Sequence, residues 1–179
     1  SWARRCVEEP ADKGTVAGVA NVEAGRLSTA LRLENGNGIA VLEIAEQWVQ
    51  CNLELDDVAD LAGAVAQCRR MLDLDADPTH IDAALVAVKS LAGYIGALPG
   101  LRSPGSSDGF ATLVFAVLGQ QRSVAAARTL ASRIVKRASE SSGRLQPFPT
   151  PAQVAETDLA DMGPGAVTQL TLPPSYGLQ

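Results

Sequence analysis

Hydrophobic and polar positions alternate with period two from residue 27 to residue 55. Leu27, Thr29, Leu31 and Leu33 alternate with Arg26, Ser28, Ala30 and Arg32, as a half-buried strand requires. Asn35-Gly36-Asn37-Gly38 offers residues tolerant of positive φ for a tight turn, and residues 39–44 read as the returning strand of a hairpin. Residues 48–55 predict a third strand with Val49, Cys51, Leu53 and Leu55 on one face, giving an antiparallel sheet with one wet side. The period then changes to 3.6. Asp56 is placed to cap a helix whose Val58, Leu61, Val65, Cys68 and Leu72 form one apolar stripe, predicted to lie on the sheet's dry face. Helices follow at 81–88, 91–97, 110–119 and 123–139, with a short turn of helix opened by Thr150-Pro151. The fold class is therefore α+β, a sheet-and-helix unit followed by a helical unit, with a seam near residues 72–78.

Composition narrows this picture. The 179 residues are 46% apolar, which excludes disorder and fibrous repeats, and only 4% aromatic, so the core must be built from Leu, Val, Ile and Ala. The longest apolar run, 110–118, is far shorter than the roughly 18 to 20 residues of a membrane span. The start, Ser1-Trp2-Ala3-Arg4-Arg5, has neither an initiator Met nor a signal-peptide core, and reads as a processed or internal beginning. Cys6, Cys51 and Cys68 are odd in number and far apart, with His80 the single histidine. That set fits neither a disulfide framework nor a zinc site, and reads as small apolar residues in a reducing cytoplasm. Asp73, Asp75 and Asp77 alternate like calcium ligands, but the glycine and glutamate of such a loop are missing, and Asp77-Pro78 reads as a helix N-cap with proline at the first position.

Charge divides the chain. Up to Gly100 there are 8 Lys+Arg against 15 Asp+Glu, a balance of −7; beyond it, 7 against 5, or +2. Arg122, Arg128, Arg133, Lys136 and Arg137 fall within sixteen residues that contain no acid. Such a run is either a solvated helix face or a phosphate-contacting surface. It begins at Gly119-Gln120-Gln121-Arg122, a polar break between two helices, and Ser123 is placed to cap the second, whose first turn favours an anion. Val124, Ala127, Leu130, Ala131 and Ile134 give that helix its buried stripe.

Several blocks, in order, carry a resemblance. They are Cys68-Arg69-Arg70-Met71-Leu72-Asp73-Leu74-Asp75-Ala76-Asp77-Pro78; Pro99-Gly100-Leu101-Arg102 with Pro104-Gly105; Asp108-Gly109-Phe110; the stretch from Leu118-Gly119-Gln120-Gln121-Arg122-Ser123 through Arg128 to Ala131; and Phe148-Pro149-Thr150-Pro151. Together they resemble the AlkA-type 3-methyladenine DNA glycosylases, over roughly residues 15–163. The resemblance implies an N-terminal sheet domain of the TATA-binding-protein type over 1–75, the first helices of an all-helical glycosylase domain over 76–163, and a divergent tail over 164–179. It implies double-stranded DNA carrying alkylated bases as partner, base flipping and hydrolysis of the N-glycosidic bond as chemistry, no cofactor or metal, and a cytoplasmic, nucleoid-associated location. By resemblance Gln121 stands where the family inserts a side chain into the gap left by the flipped base, and Gln120, Arg122, Ser123 and Arg128 surround it as DNA-binding residues.

The departures bear on activity. The family's Leu-Pro-Gly-hydrophobic-Gly hairpin and its essential Asp follow the segment matched here; Leu98-Pro99-Gly100-Leu101-Arg102 copies only the hairpin's first residues, and Arg102 replaces its second glycine. Asp158 and Asp161, the acids nearest that point, read as exposed capping residues, so no catalytic residue is assigned. The expectation is a chain that does not excise bases by itself; the alternatives are a non-catalytic DNA-binding fragment and the non-functional product of a frameshifted gene. Two units of about 75 residues would each bury only about 60% of their unfolded surface, and the 123–139 helix is expected to lack partners for its stripe. Low stability is predicted: thermal unfolding should be broad and accompanied by binding of a hydrophobic dye, and a sharp, dye-free transition would refute it.

Overall fold

The computed structural model describes residues 15–45, 48–120, 122–139 and 143–158. Four strands, β1 (Ala20–Glu23), β2 (Arg26–Arg32), β3 (Asn37–Ile44) and β4 (Val49–Leu55), form an antiparallel meander in the order β1-β2-β3-β4. A 3-10 turn, Val58–Asp60, leads into α1 (Leu61–Met71), followed by α2 (Pro78–Val86), α3 (Lys89–Ala97), α4 (Gly109–Gly119), α5 (Val124–Ala138) and α6 (Pro151–Glu156). The fold is α+β, as the change of period predicts.

Register decides which side chains share a face. Leu27 pairs with Leu42, Thr29 with Ala40, Leu42 with Cys51 and Ala40 with Leu53, so the apolar positions of β2, β3 and β4 lie on one side of the sheet. That side forms a core with α1, in which Leu31, Ala40, Leu42 and Ala64 are fully buried. A second core joins α4, α5 and α6 through Val114, Leu118, Leu130, Ile134 and Val154, with Phe148 edge-on to Phe110 at a 6.2 Å ring separation.

Four local expectations change. The helix after the sheet is capped by Asp57, whose Oδ1 accepts from the Ala59 N–H at 2.8 Å, while Asp56 accepts from the Asn37 N–H and so holds the β2–β3 turn. Its buried stripe is Ala64, Cys68, Met71 and Leu72; Val58 is 80% exposed, and Leu61 and Val65 also face solvent. The 3-10 turn rotates the helix start, and buried Asp60, accepting from the Asn35 N–H and Nδ2, fixes that rotation. Among the glycines of the β2–β3 turn, neither Gly36 nor Gly38 has positive φ. Gly38 is needed for space, since a Cβ there would lie 2.8 Å from Leu55 Cδ2 and 3.0 Å from the Glu54 carbonyl. The left-handed pair is Ala24 and Gly25, in the two-residue turn that closes β1 onto β2, a strand the period-two pattern did not include. Finally, the sheet's second face is not simply wet: Ala30 is buried there, Arg32 Nη2 donates to the Phe148 carbonyl at 2.6 Å, and Arg144 pairs with Glu54 at 3.3 Å.

The stripe of α5 is also covered, contrary to the expectation of missing partners. Ala127, Leu130, Ala131, Ile134 and Val135 are buried, and only Val124 of the predicted stripe is exposed. Part of the cover is a strap, residues 15–19, placed before β1. Val16 and Val19 enter the helical core, Ala17 N–H donates to Ser132 Oγ, and Arg128 Nε donates to the Thr15 carbonyl. Gly18, at φ +91°, lies so near α5 that a Cβ would sit 3.3 Å from Val135 Cγ1. The unburied elements are α2 and α3, which pack on each other and contain no buried residue. Replacing fully buried Leu42 by Ala should cost about 2–5 kcal/mol, whereas Val58→Ala, within the stripe that the period suggests, should change stability by no more than about 0.5 kcal/mol. Denaturant midpoints of the two variants check this.

Candidate nucleic-acid interface

The polar break expected between two helices is the connection from α4 to α5. Gly119 ends α4, Gln120 adopts extended backbone at φ −63° and ψ 125°, and the Arg122 N–H returns to the Gly119 carbonyl at 3.3 Å. Ser123 is the N-cap of α5, its Oγ accepting from the Ala126 N–H at 3.2 Å. Gln120, Arg122 and Ser123 are all exposed; Gln121 lies outside the described residues. The side chains of Gln120 and Arg122 lie at the surface, so burial does not dictate a glutamine or an arginine at those two positions.

Beyond the cap the cations of α5 separate by direction. Arg133, Lys136 and Arg137 are exposed, with Arg137 Nη1 donating to the Asp158 carbonyl at 2.9 Å. Arg128 is half-buried and turned toward the strap, where its Nε holds the Thr15 carbonyl at 3.1 Å. Beside it an open groove of about 670 Å³ runs between the strap, α5 and the 143–146 segment, lined by Arg128, Lys136 and Arg144. The structure thus brings Gln120, Arg122 and Ser123 together at one end of α5 and sets Arg128 along its flank. Arg144, outside the acid-free run and paired with Glu54, joins that basic surface only through the fold. A smaller cavity of about 310 Å³ lies elsewhere, among the strap, β2 and residues 104–111.

Carboxylates that looked like ligands have structural uses. Asp75 pairs with Arg69, Asp73 accepts from the Ser103 N–H at 3.1 Å, and Asp77 caps α2 by accepting from the Thr79 N–H at 2.9 Å. The hydrogen bond from His80, 2.6 Å from Asp77 Oδ2, holds the Asp77 carboxyl below its ordinary range. A depressed carboxyl stabilises the cap fully above about pH 4, and that contribution is lost as the pH falls through the lowered value. On the helical side Asp108 caps α4 through the Ala111 N–H, Asp158 is exposed, and Asp161 lies outside the described residues.

The blocks 68–78 and 99–105 lock together. Arg102 Nη1 donates to the carbonyls of Asp73 at 2.5 Å and Ala76 at 2.9 Å, the Gly100 N–H donates to Asp82, and the Gly105 N–H donates to the Met71 carbonyl at 3.1 Å. A Cβ on Gly105 would sit 2.7 Å from the Arg70 carbonyl oxygen. Arg102, where a hairpin would have its second glycine, is a clamp on the turn between α1 and α2.

This geometry defines a class. A four-stranded antiparallel sheet backed by a helix, followed by helices joined through a polar break, is the architecture of a 3-methyladenine DNA glycosylase from Archaeoglobus fulgidus, matched with a TM-score of 0.68 at 17% identity over 97% of this chain and 59% of that one. MBOgg1, solved in complex with a low-affinity DNA ligand, matches with a TM-score of 0.61 at 16% identity over 90% of this chain and 53% of that one. Residues 12–108 match the model of the AlkA N-terminal domain. The chain belongs to the AlkA family. It is 41% identical over 162 residues to a probable bifunctional transcriptional activator/DNA repair enzyme AlkA of Mycobacterium tuberculosis, covering 88% of this chain and 33% of that protein. It is 36% identical over 143 residues to DNA-3-methyladenine glycosylase 2 of Escherichia coli, covering 75% of this chain and 45% of that enzyme. The chain therefore spans a third to just under half of these curated relatives. No helix among the described residues is long and apolar enough to cross a membrane.

Gly105→Ala should cost about 1–3 kcal/mol through its overlap with the Arg70 carbonyl, and Ser123→Ala about 1 kcal/mol through loss of the cap. Melting temperatures ordered Gly105→Ala below Ser123→Ala below the unaltered chain are expected.

Proposed function

We propose that this chain belongs to DNA base-excision repair of alkylated bases, the 3-methyladenine class, and that the polypeptide itself contributes duplex binding rather than excision. The observation that carries the reading is the exposed turn of Gln120, Arg122 and Ser123 at the head of a helix, opening a sixteen-residue stretch of sequence, 122–137, that holds five cations and no Asp or Glu. A surface of this kind supplies the sequence-independent phosphate contacts on which recognition of a duplex rests. Gln121 is proposed as the side chain that fills the gap left by an extruded base, and Arg128 as a cation whose direction is set by its bond to the strap. The partner is double-stranded DNA with alkylated bases; the reading requires no cofactor, and it carries a cytoplasmic, nucleoid-associated location. The working division is a sheet-and-helix unit over 1–75, helical glycosylase elements over 76–163 and a tail over 164–179.

The absence of excision is argued from the carboxylates. Hydrolysis of a glycosidic bond through charge stabilisation needs an acid held beside the sugar in a dry pocket. Buried Asp60 is committed to Asn35, Asp108 to its cap and Asp82 to Gly100, while Asp158 is exposed to water. None of these is free to serve such a pocket.

Fluorescence anisotropy with an alkylated duplex tests the reading. Affinity should fall steeply between about 50 and 200 mM salt, and Arg122→Gln, Arg133→Gln and Lys136→Gln should each lower the slope of log K against log salt by roughly 1. Binding unaffected by salt would refute the interface, and release of free alkylated base from the same duplex would refute the non-catalytic role.

A further inference from the structure

Cys51 and Cys68 are separated by 17 residues, and the odd count of three cysteines in the chain argues against a disulfide framework. The fold brings them together. Cys51 lies opposite Leu42 on β4, on the side of the sheet that carries α1, and Cys68 is on the buried stripe of α1. Their sulfurs are 3.9 Å apart. β4 is the last strand of the sheet, so Cys51 is open to solvent, whereas Cys68 is only 5% exposed. One accessible thiol backed by one buried thiol is the arrangement of an oxidisable pair: the outer sulfur meets the oxidant and the inner one resolves it.

We propose that Cys51 and Cys68 form a redox modification site that takes a small peroxide and closes as an intramolecular disulfide, fastening the edge strand β4 to α1. In the first step the Cys51 sulfur attacks one oxygen of hydrogen peroxide, the O–O bond breaks, and the second oxygen leaves as water, giving a sulfenic acid. In the second, the Cys68 sulfur attacks the Cys51 sulfur, the S–O bond breaks, and the hydroxide leaves with the Cys68 proton as water. Two thiols lose two protons and two electrons, and one peroxide becomes two waters. Cys68 is buried and Cys51 open, so the oxidant's first target is Cys51; burial pushes the Cys68 thiol up to about 12, with neighbouring Cys51 adding to the rise, and Cys68 gives up its proton only as it attacks. Closing the pair to a disulfide of about 2.05 Å asks the two sulfurs to approach, with Cys51 on a strand bonded on one side only. The gain lies in cross-linking a loop of 17 residues between two elements of one core.

The experiment uses the full chain with equimolar hydrogen peroxide, intact mass, non-reducing peptide mapping and thermal melting. The unaltered chain should lose the mass of two hydrogens, keep one free thiol of its three, yield a peptide joining residues 51 and 68, and melt roughly 5–10 °C higher until a reductant is added. Cys6→Ser should behave the same way. Cys51→Ser, a change at an exposed position, should fold as before and show neither the cross-link nor the rise. A Cys51 sulfinic acid without a cross-link, a bridge involving Cys6, or a bridge between two chains would overturn the site. A 51–68 bridge that leaves the melting temperature unchanged would overturn the fastening.

Discussion

The apolar stripe of α5 governs the arrangement of everything around it. Five of its side chains are buried, and no single neighbour covers them: α4 contributes Val114 and Leu118, α6 contributes Val154, the connecting segment contributes Phe148, and the strap contributes Val16 and Val19. A helix this amphipathic is stable only when that face leaves water. The strap is the economical part of the solution, because it feeds both cores: Val16 and Val19 turn to the helices, while Ala20 and Val22, just beyond, turn to the sheet. Its backbone groups are met on both sides as well. The Ala17 N–H reaches Ser132, the Gly18 carbonyl accepts from Gln146 N–H, and the Val19 carbonyl accepts from Ala30 N–H.

Cations are used in two ways, and the division follows position. Among the described residues of the first hundred, several cations are tied to partners within the fold: Arg32 holds the Phe148 carbonyl, Arg69 pairs with Asp75, and Arg26 pairs with Glu43. Arg102 continues this pattern by holding the carbonyls of Asp73 and Ala76 in the turn between α1 and α2. Along α5 the cations other than Arg128 point outward, since the inward face is taken by the stripe. The same amphipathicity that builds the core therefore sorts charge onto the exposed surface, without any residue being reserved for both tasks.

Much of this was legible because it rests on short-range pattern. Period two locates β2, β3 and β4, and caps such as Asp77, Ser123 and Thr150 mark helix starts where side-chain oxygens meet free N–H groups. What escaped depends on contacts between distant residues. In the stripe expected for α1, Cys68 and Leu72 are buried but Val58, Leu61 and Val65 are not, because a 3-10 segment, set by Asp60 reaching Asn35, intervenes. β1 is only four residues long and borrows its stability from β2, so its own alternation is too brief to register. Arg102 looked like a lost glycine and is a clamp whose acceptors lie 26 and 29 residues away. At the interface, Gln120, Arg122 and Ser123 were readable as a polar break; the placing of Arg144 beside Arg128 and Lys136 was not, because it depends on how the strap packs. Cys51 and Cys68 each fell on a predicted apolar face, and their meeting follows from laying one face on the other.

The strap also imposes an order on the making of the fold. Its bonds to Arg128 and Ser132 join residues 113 and 115 apart, among the longest sequence separations in the molecule, whereas the meander closes through neighbouring strands. A chain emerging from the ribosome can therefore complete its sheet and α1 while the strap's outer side still has nothing to bind. The strap's bonds to α5 are then expected to be among the last to form, so the helical core would be finished by a segment synthesised before any of its helices.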